Sequence, residues 1–207
     1  MRARNGILFV ATGVLLSSLA GTALAQGTAT AQPAAPGDIK TPITVTELFS
    51  KAKPGMWVRL EGTPQPDQTV RCNRARIITG AIEDDDWAIK GQIKSVEPGT
   101  QQLTVGRYHV KLKSTSKFLP ATTLHGITDL KPGMYVRVVG TYSADGGLLA
   151  RKVEDQTAAA AEKADGNKRV LNQGKVERVD AARKAIVLMG TTFVLSPETK
   201  ATAVVEM

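Results

Sequence analysis

Lys53-Pro54-Gly55-Met56-Trp57-Val58-Arg59-Leu60-Glu61-Gly62-Thr63 returns later in the chain as Lys131-Pro132-Gly133-Met134-Tyr135-Val136-Arg137-Val138-Val139-Gly140-Thr141, and this repetition decides the reading of the fold. Each copy opens on a Pro-Gly turn and continues as an alternating run. Met56, Val58 and Leu60 point one way, as do Met134, Val136 and Val138. Alternation at a period of two predicts a strand with one buried face. A polar turn and a second strand follow each copy, around Val70 to Ile78 and Leu148 to Glu154. This two-strand pattern is the distal half-unit.

A different pattern also occurs twice. Gly91-Gln92-Ile93-Lys94-Ser95-Val96-Glu97 matches Gly174-Lys175-Val176-Glu177-Arg178-Val179-Asp180. Each is followed by an apolar strand, Leu103 to Val105 and Ile186 to Leu188. A glycine turn at Gly106 or Gly190 then leads to a third strand, Tyr108 to Lys113 and Thr192 to Ser196. In the first strand of this proximal half-unit the apolar residues fall three apart, Ile93 with Val96 and Val176 with Val179. One extra residue in a strand produces that spacing, so a bulge is expected in both copies, with the curvature a small barrel needs. Helix is scarce: Val45 to Ala52, and a turn near Leu124 to Leu130.

Three strands, a connector and two more strands make a five-stranded unit over 88–155. That count and order suit an OB-like Greek-key barrel. The half-units run distal, proximal, distal, proximal, so the middle two complete one barrel. A distal half is left at 44–87 and a proximal half at 169–207. Neither can bury its apolar face alone. The expected fold class is therefore all-β: two tandem small OB-like five-stranded barrels, the second assembled from the N- and C-terminal halves. Its core should hold Val58 and Leu60 with Val176, Val179 and Val187 or its neighbours Ile186 and Leu188, apart from a central core of Ile93, Val105, Val110, Val136 and Val138. A partner chain supplying the missing half, as a swapped dimer, is the alternative wiring.

The central unit also resembles an exported bacterial domain family of unknown function. The resemblance is carried by Gly91-Gln92-Ile93-Lys94-Ser95-Val96, by the strand ending Ser114-Thr115-Ser116-Lys117-Phe118, and by Ile127-Thr128-Asp129-Leu130-Lys131-Pro132-Gly133 with the strand that follows. Ala150 fits the alanine of the family's last strand. The resemblance covers about 88–155, with a permuted second copy, and implies an OB-like barrel in the cell envelope. It brings no activity, cofactor or catalytic residue with it.

The start of the chain reads as an export signal. Met1-Arg2-Ala3-Arg4, an apolar run from Ile7 to Ala20, and Gly21-Thr22-Ala23-Leu24-Ala25 read as a signal peptide cleaved after Ala25. An uncleaved anchor helix over Ile7 to Ala25 is the competing reading, weakened by its Ser, Thr and Gly and by the Ala-Leu-Ala ending. The mature chain is expected to be exported, periplasmic or secreted, with no transmembrane segment. Residues 26–43, rich in Ala, Gly, Pro and Thr, read as a disordered leader, and 156–168 as a linker. The chain has 27 Lys and Arg against 19 Asp and Glu, and loss of Arg2 and Arg4 with the signal leaves a net charge of +6. Such a balance favours anionic partners. Cys72 is the only cysteine, which excludes an intramolecular disulfide. It reads as a small buried hydrophobe, with a reactive or inter-chain thiol as the other option.

Catalytic chemistry finds no foothold. The two histidines, His109 and His125, lie among lysines and in a loop. No Cys/His spacing suits zinc, and no metalloprotease, nucleophile-elbow or phosphate-loop motif is present. No catalytic, cofactor-binding or metal-binding residue is assigned. Glu83-Asp84-Asp85-Asp86 lacks the spacing of a calcium loop and reads as a solvated connection. Two surfaces remain. Arg107, His109, Lys111, Lys113 and Lys117 form a candidate anion-binding face, although so few aromatics make nucleic acid a poor ligand for it. Trp57 with Arg59, and Tyr135 with Arg137, form a duplicated aromatic and arginine strip. That strip suits a sugar or peptide, or the packing of one barrel on the other. The expected function is a non-catalytic binding or assembly module of the envelope, engaging a protein, glycan or other anionic surface. Polyanion or nucleic-acid binding through the basic strand is the alternative, and an enzyme of unrecognised type is the least supported.

Overall fold

The computed structural model describes residues 39–143 and 145–206; the stretch read as a signal peptide and most of that read as a leader lie outside them. In chain order the elements are β1 (Ile39–Ile43), α1 (Val45–Lys51), β2 (Trp57–Pro64), β3 (Val70–Gly80) and β4 (Trp87–Glu97). Next come β5 (Gln102–Val105), β6 (Tyr108–Leu119), β7 (Tyr135–Tyr142), β8 (Gly147–Asp155) and α2 (Thr157–Ala161). The chain ends with β9 (Val170–Lys175), β10 (Arg178–Asp180), β11 (Ala185–Leu188), β12 (Thr191–Val194) and β13 (Lys200–Glu206). The fold is all-β.

The central strands close into a five-stranded barrel. β4 pairs with β5, β5 with β6, β6 runs parallel to β8, β8 pairs with β7, and β7 returns to β4. Closure needs bent strands, and bulges supply the bends. β4 is bulged between Ile93 and Ser95, so its first half faces β7 and its second half faces β5. A second bulge lies between Val139 and Gly140. Glycine is required there, because a Cβ would stand 2.0 Å from the Leu149 carbonyl oxygen.

The strands from the two ends of the chain pair with each other. β9 pairs with β2, β2 with β3, and β3 runs parallel first to β12 and then to β13. β12 pairs with β11, and β11 with β10. The same devices recur. The bulge in β2 falls between Glu61 and Gly62, where a Cβ would lie 2.2 Å from the Arg71 carbonyl oxygen. β9 and β10 act as one strand bent at Val176–Glu177. The Val176 N–H donates to the Met56 carbonyl (2.9 Å), while the Glu177 N–H donates to Val187 on the other side (3.0 Å). Val176 thus stands where Ile93 stands in the central barrel, whose N–H donates to Met134 at 2.8 Å.

The expectation of two separate cores is corrected. Val58, Leu60, Ile186, Leu188 and Phe193 belong to the same contact cluster as Ile93, Val105, Val110, Val136 and Val138. The reason is a shared wall: β4 also pairs with β9, matching Ala88 to Gln173, Ile89 to Asn172 and Lys90 to Leu171. This register is self-complementary, and it sets an approximate twofold axis between Ile89 and Asn172.

Two segments assigned to loose chain are structured. Ile39–Ile43, placed in the leader on composition, is an edge strand antiparallel to β13. Thr41 and Pro42 disguise it, since proline is tolerated where one side of the strand is unpaired. The stretch read as a linker holds α2, buries Ala160, and packs Gly166 so closely that a Cβ would meet the Ala160 carbonyl oxygen at 2.2 Å. The predicted helix is present as α1. Thr44 and Glu47 close a capping box at its start, and Leu48 joins the core from its buried face.

Gly140→Ala and Gly62→Ala should each cost about 2–4 kcal/mol, because the clash is with backbone and cannot relax by a rotamer change. Urea unfolding monitored by tryptophan fluorescence measures this; a loss below about 0.5 kcal/mol at either site would contradict the bulge geometry.

Candidate functional site

The shared wall carries an unusual load of buried polar atoms. Asn172, Gln173 and Thr191 are all at most 3 % exposed. The Asn172 amide donates to the Tyr108 hydroxyl (2.5 Å), which is 2.5 Å from Thr191 Oγ1 and donates to the Met189 carbonyl (3.2 Å). Each of these groups would cost roughly 1–3 kcal/mol if left unpaired in this setting. Burial raises the Tyr108 pKa above the ordinary tyrosine value, so the hydroxyl stays neutral and keeps donating. A fully hydrogen-bonded knot therefore ties β6 of the central barrel to β9 and β12 of the terminal strands.

On one side of this knot the space is filled by aromatics. Trp87 lies 5.2 Å from Trp57 and stacks on Tyr142 at 5.1 Å between ring centroids. Its six-membered ring covers Gly174, where a Cβ would approach it to 2.1 Å. Lys175 sits over the Trp57 ring at 5.7 Å.

On the other side the space is open. A cavity of about 350 Å³ lies between the β2–β3 turn and the β5–β6 turn. Val70, Ile89, Val105 and Val170 give it an apolar wall, with Tyr108, Asn172 and Thr191 of the buried knot also lining it. Lys94 and Arg107 stand at it exposed, and among the described residues neither has a hydrogen-bond or ion-pair partner. Lys90 also lines it, but its Nζ is held by the Gln156 side-chain oxygen at 3.2 Å. No carboxylate is found among the described residues that line the cavity. An enclosed apolar wall with a few placed polar groups is the usual make-up of a small-molecule site.

The residues singled out in the sequence are redistributed. His109, Lys111, Lys113 and Lys117 are exposed on β6, while Arg107 leaves the row for the turn at the cavity. His109 and Lys111 line a shallow groove together with Asp145. The duplicated strip splits by residue type. Arg59 and Arg137 come together in one groove of about 240 Å³ with Arg74, Arg76 and Glu61. Tyr135, expected outside, is 3 % exposed and donates its hydroxyl to the Arg169 carbonyl at 2.5 Å. Its ring is packing surface. The acidic run is a paired connection: Asp84 meets Lys175 at 2.7 Å, while Asp85 and Asp86 grip Arg151 at 2.8 and 2.7 Å. Lys94, Val170 and Asn172 were missed as site residues by sequence reasoning, because nothing local marks residues that come to one cavity through the pairing of distant strands.

Residues 90–154 match the family model of a domain of unknown function (DUF5666), the stretch whose motifs suggested such a family. No curated protein sequence and no solved structure matches the chain. Among the described residues, no helix is long and apolar enough to cross a membrane.

Cys72 is 2 % exposed, with its Sγ donating to the Arg74 carbonyl at 3.1 Å. Burial pushes its pKa from 9.0 up to about 12. The unfolded chain releases this proton near 9.0 and the folded chain holds it to about 12, so rising pH favours unfolding across that window. Below the window the group has no effect. Wild-type protein should therefore lose urea resistance between about pH 8 and about pH 10.5 more steeply than Cys72→Ala. Equal slopes would show that the thiol is not shielded.

Proposed function

We propose that the protein is a non-catalytic binding module of the bacterial cell envelope, taking a small ligand in the cavity between the central barrel and the terminal strands. The observation that carries this reading is the cavity itself: an apolar wall, a satisfied polar knot beside it, and two exposed cations with no partner among the described residues. A buried polar network of this kind rigidifies what it touches, and a rigid wall suits binding without rearrangement. Placement in the envelope rests on the N-terminal sequence, where a basic start, an apolar run and Ala23-Leu24-Ala25 form an export signal. A chain with this signal meets its ligand outside the inner membrane.

A second reading, binding of an extended polyanion, is favoured by one further observation. Arg59 lies directly opposite Arg76 across the β2–β3 ladder, in the groove that also holds Arg74, Arg137 and Glu61, so four arginines there face one carboxylate. The exposed Lys111 and Lys113 extend positive charge over β6.

Two measurements test the first reading. Intact mass of the exported protein should place its N-terminus at Gln26; a chain that keeps residues 1–25 defeats the location. A fragment screen read by amide chemical shifts should cluster its changes at Thr69, Gly106 and Val170, and hits scattered over the surface would defeat binding through the cavity. The second reading predicts retention on heparin that falls steeply with added salt and is weakened by Lys111→Glu with Lys113→Glu.

A further inference from the structure

The approximate twofold axis between Ile89 and Asn172 says what the cavity is the counterpart of. The turn over it, from Gln65 to Thr69, is built like the turn from Ser143 to Gly147. The Gln65 N–H donates to the Thr69 carbonyl (2.8 Å) as the Ser143 N–H does to Gly147 (2.9 Å). Asp67 Oδ1 accepts from the Thr69 N–H (3.0 Å) as Asp145 Oδ1 does from Gly147 (3.1 Å). The β5–β6 and β11–β12 turns correspond in the same way: the Leu112 N–H reaches Gln101 and the Leu195 N–H reaches Lys184, both at 2.8 Å. The backbone frames on the two sides of the axis are alike. The side chains are not.

Carrying the registers across the axis pairs Val170 with Trp87, Pro64 with Tyr142, and Gly106 with Met189. The filled side has an indole, a phenol and a thioether chain where the open side has an isopropyl group, a proline ring and a hydrogen. The glycine that Trp87 covers, Gly174, corresponds to Gly91, where a Cβ would meet only the Val105 side chain, the Gly106 nitrogen and the Val170 side chain, at 3.5, 3.9 and 4.0 Å. The polar ends differ too. On the filled side, the Glu177 carboxylate accepts from the Gly190 N–H at 3.0 and 3.2 Å. Their counterparts on the open side are Lys94 and Arg107.

From this we infer that the cavity takes a planar aromatic anion: a ring system of about indole size occupying the place that Trp87 and Tyr142 fill on the other side, with a carboxylate, sulfonate or phosphate group held by Lys94 and Arg107. The inference rests on the cavity being the binding site and adds the chemistry of what enters it. The apolar wall selects the ring, while the two cations and the absence of a lining carboxylate among the described residues select the charge. Exposed cations at the mouth also leave the charged group partly hydrated, so its desolvation cost stays modest.

The test compares indole-3-acetate, indole and inorganic phosphate on the full mature chain, by calorimetry and by amide shifts. Indole-3-acetate should bind and shift Gly106 and Val170, at least tenfold more tightly than either indole or phosphate alone. Lys94→Glu with Arg107→Glu, both at exposed positions, should weaken it at least tenfold while leaving indole unchanged. Pro64→Tyr and, independently, Val170→Trp should close the cavity to both, as their counterparts do on the filled side; circular dichroism confirms that each variant folds. Indole binding as well as indole-3-acetate, with no effect of charge reversal, would overturn the anion while the cavity reading stood. Phosphate binding as well as indole-3-acetate would overturn the aromatic body. Failure of every compound to shift Gly106 or Val170 would remove the cavity reading with the inference.

Discussion

Three residue pairs between β4 and β9 hold this molecule together as one body. Ala88 with Gln173, Ile89 with Asn172 and Lys90 with Leu171 form a short antiparallel ladder, and both halves of the chain depend on it. Without it, β4 would be an edge on that side and β9 would pair with β2 alone. With it, the apolar faces merge into one core, and every buried polar atom on the seam needs a partner. The Asn172, Tyr108, Thr191 and Met189 knot supplies those partners. A hydrogen-bonded seam of this kind fixes register, because sliding by one residue would strand several groups at once.

What could be read in the sequence follows from range. The alternation in Met56 to Leu60 and Met134 to Val138, the Pro-Gly turns and the three-apart spacing at Ile93 and Val96 are local, and each appears as a strand, turn or bulge. Pairing of the chain ends was legible too, because a half-unit with one apolar face must find its complement somewhere. The seam was not. Ile89 and Asn172 lie far apart in sequence, and an asparagine in a strand looks like a solvated residue until its neighbours are known. β1 escaped for another reason: an edge strand needs only backbone partners, so Thr41 and Pro42 left no apolar pattern to read.

The candidate site was legible in pieces. Arg107 stood out as part of a basic row, but the row dissolves once Gly106 turns the chain and carries Arg107 to the cavity. Trp57 and Tyr135 looked alike as repeats. The fold then gave them different neighbours, an aromatic stack for Trp57 and the Arg169 carbonyl for Tyr135. Repetition in sequence predicts a shared backbone frame far better than it predicts shared surroundings, since surroundings are set by the half that is not repeated beside it. The departures from twofold symmetry are therefore where a specific role has room to arise.

The pairing of β2 with β9, and of β3 with β12 and β13, has a consequence in time. As the chain is made from its N-terminus, β2 and β3 emerge early with nothing to close against. β4 to β8 follow as a complete circuit and can close at once. The first strands must wait for β9 and β12, which follow the central circuit in the chain. The hairpin made first is thus completed last, on a barrel already built. An exposed hairpin waiting that long is open to mispairing with other chains. Arg59, Arg74 and Arg76 on that hairpin give it a surplus of like charge, which opposes edge pairing with a second copy.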